Sequence, residues 1–485
     1  MKKLALLLLC AMLISTAAAC SSGSTDTGTP SDDTTSANAQ TEATEPVDPN
    51  MPEFETKYGG KDFRVIYPTH ANFQYQHSDT ETGDSVEDAL YKRDVTIEDQ
   101  FEVDMKYTVV DKIEAVYDTV SQNILAGDDS FDLILNHVNW QINAYIAEKF
   151  VLDWYTVNNV DLEKPYWNQN MNDSLAIGDV LPVAASDYVV ANPLMIFFNT
   201  ELVKSMGLDD QYELVNSGKW TWDELISTSA EVMTDINGDG TMNADDRYGF
   251  VVDITGSSYM LRSIPASANQ FIYSKGNDGS LNCTVNTPQM QTLLEKMVSL
   301  FNGGGGYLLN YGAPQDNVKA VAHFNKGTTL YYLVDSLKAF AYRDIDFEYG
   351  ILPLPKYDEK QEDYASLNWS GLMLIPVTAP DPDMVGCIAE WLAYYSARDV
   401  QPVFFEILMD EKVARDDTSA DMLKLIFSTL VYDPAINYKS KGFYSFFDEL
   451  VKGNRTDLAS YYAGKEAAEL TYIEELNEYF AAFKK

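Results

Sequence analysis

Oxygen-bearing side chains recur at a spacing that wraps a cation. Asp235, Asn237 and Asp239 alternate along the chain, Gly240 follows, and Thr241, Asn243 and Asp246 complete a twelve-residue stretch. In EF-hand register the first three supply carboxylate or amide oxygens, and Gly240 takes the sharp turn at position six. Thr241 offers its backbone carbonyl at seven, and Asn243 stands at nine. Asp246 occupies position twelve, where an EF-hand carries a bidentate Glu. Being one methylene shorter, it must tighten the loop or recruit water. A hard cation that needs six to eight oxygens fits this donor set, so the expected cofactor is one structural calcium ion. The alternative is a plain acidic turn, since Asp, Asn and Gly favour turns in any case.

Other reactive constellations are missing. There is no HExxH or GxSxG, and four histidines leave little room for a His-based metal site. With 74 acidic residues a glycosidase-like carboxylate pair can always be nominated, so a secreted carbohydrate-active enzyme stays open as an alternative. The chemistry on view nevertheless predicts a binder, not an enzyme. The four glycines Gly303–Gly306 are not followed by the Lys-Ser/Thr of a phosphate loop and read as a flexible connection. Cys283 and Cys387 lie far apart in sequence, and whether they pair is open.

A formal charge of −40 excludes a nucleic-acid partner, which needs basic faces to displace counterions. It mildly disfavours an acidic ligand, unless a local Arg or Lys cluster overrides it. At 485 residues two lobes are the natural expectation. Lys2-Lys3, the apolar run Leu4–Ile14 and the small residues Ser15–Ala19 form a secretory signal, predicted over 1–19. Cys20 directly after Ala17-Ala18-Ala19 resembles the bacterial lipobox, which implies lipidation at Cys20. Ala17 stands where Leu is usual, which leaves ordinary cleavage near Ala19 as the alternative. The Ser-, Thr-, Asp- and Pro-rich stretch that follows cannot bury enough apolar surface to order itself. Residues 20–55 are thus expected to be a lipid-anchored tether reaching about 30 Å.

Beyond the tether, strand and helix patterns alternate. Asp62–Tyr67, Val103–Val109 and Phe131–Leu135 read as strands, and Val86–Phe101 and Ile113–Ala126 as helices, the α/β signature. Pro193–Phe198, Leu330–Val334, Glu348–Leu352 and Leu372–Pro376 read as further strands. Thr200–Met206, Trp222–Met233, Met290–Phe301, Val318–Phe324 and Met384–Ser396 read as helices. Thr221 and Glu224 are placed for a capping box on the helix that starts at Trp222.

Six segments in order, LAGDDSFDLIL (Leu125–Leu135), MIFFNTELV (Met195–Val203), GKWTWDEL (Gly218–Leu225), HFNKGTTLYYLV (His323–Val334), YGILPLPKYDE (Tyr349–Glu359) and GLMLIPVTAPDPD (Gly371–Asp383), resemble the sugar-binding extracellular solute-binding proteins of ABC importers. That group includes maltose- and alginate-oligosaccharide-binding proteins; the latter carry a similar loop, which implies a structural ion. The resemblance implies a two-lobed periplasmic-binding-protein-like α/β fold of type II, with ligand held in the cleft at the hinge. Lobe one is expected over 60–190 and 349–398, and lobe two over 191–348 and 399–485. It further implies a carbohydrate ligand, expected to be an oligosaccharide, delivered unchanged by a monomer at the outer face of the cell membrane to permease subunits. A binding protein for peptide or another small solute is the second alternative.

Strand ends line the cleft of such folds, and sugar sites combine aromatic platforms with hydrogen-bonding edges. The candidate ligand residues are therefore Tyr67, His70, Asn136, His137, Trp140, Asp187, Tyr188, Asp335, Ser336, Asn368 and Trp369. Each aromatic among them has ordinary packing as its competing explanation. Trp140 and Trp369 come first for testing, and Trp220 and Trp222 read as structural.

Overall fold

A computed structural model describes residues 48–313, 318–409 and 416–484. The signal 1–19, Cys20 and nearly all of the tether lie outside the described residues. In chain order the strands are β1 (Lys61–Pro68), β2 (Val103–Val110), β3 (Leu133–His137), β4 (Leu194–Asn199), β5 (Tyr248–Asp253), β6 (Tyr273–Lys275), β7 (Leu281–Cys283), β8 (Gly306–Leu309), β9 (Thr329–Asp335), β10 (Tyr349–Leu352), β11 (Ser366–Leu367), β12 (Gly371–Leu374) and β13 (Leu430–Val431).

Two sheets organise them. The first runs β12-β3-β1-β2, with β1 parallel to β2 and β3, and β12 antiparallel on β3. The second runs β10-β4-β9-β5-β8, parallel across β9, β5 and β8 and antiparallel at β4 and β10. Strands β3, β4 and β9 are buried along their whole length, as continuous apolar runs covered on both faces must be. Strand β2 closes one edge of the first sheet and begins with buried and exposed residues in alternation. Helices α1 (Ser85–Phe101) and α2 (Ile113–Ala126) connect β1, β2 and β3. Asp84 caps α1 through the N–H groups of Val86 and Glu87. Gly127, at φ 73°, ends α2. Among the described residues no helix is long and apolar enough to cross a membrane.

Three segments pass between the sheets. Residues 184–193 lead from the first to the second, and 353–370 lead back. The helix Pro382–Tyr395 then runs through a π-helical turn, Ser396–Val400, into Gln401–Met409. The first two are joined by the Pro193–Asn368 bridge and a buried amide network. Asn192 N–H donates to Asn368 Oδ1 at 2.7 Å, and Trp369 N–H donates to Asn192 O at 3.1 Å. Asn192 Oδ1 accepts from the Ser336 hydroxyl and Leu337 N–H, both at 3.1 Å, and Asn192 Nδ2 reaches Asn72 Oδ1 at 3.4 Å.

Several expectations change. Residues 349–352 pair with β4 in the second sheet, so this part of the predicted 349–398 segment belongs to lobe two. Within the predicted tether, Pro52 is buried, Lys164 holds Pro49 O at 3.1 Å and Trp391 Nε1 holds Phe54 O at 2.6 Å. The chain is therefore docked before residue 55. Thr221 caps its helix, but Glu224 turns its carboxylate to the Thr228 hydroxyl instead of closing the capping box. Cys283 and Cys387 are free thiols. Strands β5 and β8, absent from the sequence reading, complete the second sheet.

Gly303–Gly306 is not a flexible connection. Gly305 O accepts the N–H groups of Gly249 and Phe250, which seats the start of β8 on β5. At φ 97°, a Cβ on Gly305 would lie 2.3 Å from Ser229 O, inside the helix Trp222–Val232. Gly305→Ala combines left-handed strain with a backbone clash and is expected to cost about 2 kcal/mol or more. Urea unfolding measures this, and an unchanged midpoint would contradict the packing described.

Candidate ligand-binding cleft

The carboxyl ends of β1, β3, β5 and β9 face one another across the crossing segments. Between them lies a cavity of about 550 Å³. The first lobe contributes His70 and Asn72 after β1, and His137, Asn139 and Trp140 at and after β3. The second contributes Tyr259 and Arg262 after β5, and Asp335 and Lys338 at the end of β9. Trp369 stands on a crossing segment, and Lys439 and Tyr444 come from the C-terminal region.

Local geometry sets what each offers. His70 caps the short turn Ala71–Phe73, its Nδ1 accepting the Asn72 N–H at 3.2 Å, which leaves Nε2–H as a donor. His137 Nδ1 lies 2.8 Å from Asn139 Oδ1, an acceptor, so this nitrogen carries the proton and Nε2 is left to accept. Asn139 in turn donates to the Tyr444 hydroxyl at 2.5 Å. The two imidazoles meet edge to face at 5.1 Å. Burial and then His70 push His137 down to about 3, opposed by Asn139; burial and then Lys338 lower His70, opposed by Asp335. Both rings are thus neutral at physiological pH, one presenting a donor and the other an acceptor.

Opposite them, Asp335 caps the turn Ser336–Ala339 through Lys338 N–H at 2.9 Å and accepts the Tyr259 hydroxyl. Lys338 Nζ donates to that hydroxyl at 2.7 Å and lies 3.2 Å from Asp335. Burial, reinforced by Asp335, raises the Tyr259 phenol far above its usual range, so it stays protonated. The Tyr259 and Trp369 rings pack edge to face at 5.2 Å, and Trp369 Nε1–H is used by Ser263 at 2.7 Å. Trp140 differs: its Nε1–H is shielded from solvent and has no hydrogen-bond partner among the described residues. One face of its indole lies against the Lys439 ammonium, 4.9 Å from the ring centre. The cavity therefore combines aromatic surface with unspent donors and acceptors, the complement of a polyol with apolar ring faces.

Of the eleven residues expected to touch ligand, His70, His137, Trp140, Asp335 and Trp369 line this cavity. The other six do not. Tyr67 and Tyr188 are core side chains: Tyr67 packs on Phe73 and Tyr107, and Tyr188 lies under the Arg93 guanidinium at 4.8 Å. Asn136 is fully buried and its Nδ2 holds Trp140 O at 2.9 Å, supporting the lining instead of joining it. Ser336 and Asn368 belong to the buried junction of the crossing segments. Asp187 is partly buried elsewhere, with its backbone tied to Tyr166 and Gln401, and burial lifts its carboxyl to about 7. Tyr259, Arg262, Lys338, Lys439 and Tyr444 escaped the sequence reading. Asp335–Lys338 spacing across a strand end was the one available hint; Lys439 and Tyr444 reach the cavity only through long-range folding.

The Asp235–Asp246 loop lies between the helix Trp222–Val232 and β5, closed at its base by paired backbone bonds between Thr234 and Arg247. Asp235 accepts the N–H groups of Gly238 and Gly240, Asn237 accepts that of Asp239, and Asp239 accepts that of Thr241. Asn243 accepts from Asp245 N–H. Fully buried Asp246 accepts from Ile236 N–H at 3.0 Å and Asn243 N–H at 2.9 Å, joining both ends of the loop. Each of these oxygens keeps a second lone pair, so the donor chemistry suits a hard cation. Among the described residues, however, no three His, Cys, Asp or Glu side chains gather as a metal-binding group.

Neither a family model nor a curated protein sequence matches the chain. Solved structures do. A cyclic alpha-maltosyl-1,6-maltose binding protein from Arthrobacter globiformis superposes with a TM-score of 0.58 at 14% identity, over 87% of this chain and 100% of its own. The sugar-binding protein MalE from Xanthomonas citri gives 0.58 at 11% identity, over 87% and 98%. An ABC substrate-binding protein from Listeria monocytogenes, in complex with cycloalternan, gives 0.53 at 11% identity, over 85% and 99%. At such identities the likeness is one of fold, and it extends over nearly the whole of each neighbour. The chain has the two-lobed α/β fold of the sugar-binding solute-binding proteins that serve ABC importers.

Proposed function

We propose that this chain is the extracellular solute-binding component of an ABC importer. It captures a carbohydrate as a monomer, by closing its lobes, and releases it unchanged to permease subunits. One observation carries this reading: the cavity at the strand ends of both sheets is walled by indole and phenol rings, with His70 Nε2–H and His137 Nε2 still unspent. Of the neighbours named above, one binds cyclic alpha-maltosyl-1,6-maltose, one holds cycloalternan and one is a sugar-binding protein, which supports a carbohydrate ligand here. Asn192 and Asn368, where the crossing segments meet, are the pivot about which closure would occur.

Saccharide binding should quench or shift tryptophan fluorescence and raise the melting temperature by mass action. Small-angle scattering should show one chain that contracts with ligand. Trp140→Ala should weaken binding by about tenfold or more, since it removes aromatic surface from the cavity wall. A glycan panel that binds nowhere, or that is hydrolysed on incubation, would defeat the proposal.

The Asp235–Asp246 loop takes a calcium ion in this reading, held by Asp235, Asn237, Asp239, the Thr241 carbonyl, Asn243 and Asp246. The ion would offset the repulsion of three carboxylates and fix the chain between the helix Trp222–Val232 and β5. EGTA should lower the melting temperature by several degrees and calcium should restore it. An unchanged curve, with no calcium by elemental analysis, would remove the ion.

Lipidation at Cys20 would keep the protein at the outer face of the membrane, on the tether that ends where Pro49–Phe54 docks. Cys20→Ala should move the protein from the membrane fraction to the medium. Equal membrane retention of both forms would refute the anchor.

A further inference from the structure

The cleft is charged against the sign of the molecule. The whole chain carries 74 acidic and 34 basic residues, yet the cavity lining holds Arg262, Lys338 and Lys439 against a single carboxylate, Asp335. The surface excess of negative charge is screened over about 8–10 Å at physiological salt, whereas a cation on the cavity wall acts at contact distance. What a ligand meets is therefore decided by which of these three cations is already neutralised.

Two are. Arg262 makes paired bonds to Asp448, with Nε to Oδ1 at 2.9 Å and Nη2 to Oδ2 at 3.3 Å. Lys452 lies 3.8 Å from the same carboxylate, so Asp448 has no charge to spare. Lys338 is matched by Asp335 at 3.2 Å and bonded to Tyr259. Asp253, at the end of β5, acts on Tyr259 from outside the lining. Lys439 has no carboxylate partner among the described residues. Its ammonium instead rests over two rings, 4.9 Å from the centre of Trp140 and 5.7 Å from that of Tyr444. Ring faces stabilise a cation by about 0.5–2 kcal/mol but leave its N–H donors available.

The backbone that carries this side chain is set at a cost. Lys439 has φ 56°, a left-handed conformation that a residue with a Cβ adopts only when its surroundings impose it. Those surroundings are buried acids. Asp433 accepts Ile272 N–H at 2.8 Å and Ala435 N–H at 2.9 Å, fixing the turn before Lys439. Glu469 accepts the Ser440 hydroxyl at 2.7 Å and Gly442 N–H at 2.6 Å, fixing the turn after it. These turns fix the Lys439 backbone beside the cavity, where its ammonium has no carboxylate partner among the described residues.

We infer that the carbohydrate captured in this cleft is anionic, a saccharide whose carboxylate, of the uronic-acid kind, is the missing partner of Lys439. This rests on the proposed sugar-binding function and narrows its ligand class. The carboxylate accepts from the Lys439 ammonium beside Trp140, while hydroxyls of the same sugar meet His70 and His137.

The test uses matched pairs: uronate-containing oligosaccharides and their carboxyl-reduced counterparts, identical but for CH₂OH in place of COO⁻. Calorimetric titration of the whole protein should give at least tenfold tighter binding for the acidic member of the pair that fits. Lys439→Gln should bring that ratio close to one, and Lys439→Arg, which keeps the charge, should retain most of it. Equal or weaker binding of the acidic member to the unaltered protein would overturn the inference while leaving carbohydrate capture intact. A ratio that survives Lys439→Gln would overturn the assignment to Lys439. Failure of both members of every pair would instead overturn carbohydrate capture itself.

Discussion

Everything about the cleft depends on the buried amide junction where the two crossing segments touch. Asn192 and Asn368 are 5% and 3% exposed, and an unpaired amide at that depth would cost several kcal/mol. Their partners come from different parts of the chain: Asn72 from the loop after β1, Ser336 and Leu337 from the end of β9, Val431 and Tyr432 from the C-terminal region. Satisfying one side chain therefore fixes several strand ends relative to one another. The cavity walls are some of these residues, Asn72, Asn192 and Leu337, together with their near neighbours in the chain. His70 lies two residues before Asn72, Lys338 two residues after Ser336, and Trp369 follows Asn368.

The same junction separates support from contact. Asn136, Ser336 and Asn368 are polar, near strand ends and close to the cleft in sequence, but their hydrogen-bonding capacity is turned inward. Polar atoms left to the cavity belong to residues one or two steps further out, where the backbone is already held. His137 is the clearest case: Asn136 Oδ1 holds its N–H, and its ring Nε2 is left to accept.

Charge follows a similar division. Most of the acidic excess faces solvent, while buried carboxylates such as Asp335, Asp433, Asp448 and Glu469 hold particular cations, hydroxyls or N–H groups in place. Asp433 illustrates the expense: burial lifts its carboxyl to about 6, and only three backbone N–H contacts oppose the rise. These acids make a frame in which Lys439 has no carboxylate partner among the described residues.

Much of the frame was legible from the amino-acid order alone. Continuous apolar runs marked β1, β3, β4 and β9, because strands covered on both faces must be apolar throughout. Thr221 and the 3.6-residue periodicity bounded helices, because caps and periodicity act within a few residues. The loop Asp235–Asp246 was visible for the same reason, all its oxygens being local. Tertiary structure alone decided which strand ends meet, that 349–352 joins the second sheet, and that Gly305 is a packing contact. It also decided that Tyr67 and Tyr188 are core while Lys439 and Tyr444 are cleft. Those outcomes depend on contacts between residues hundreds of positions apart, and a residue's local pattern carries no record of the partner that will bury it or leave it bare.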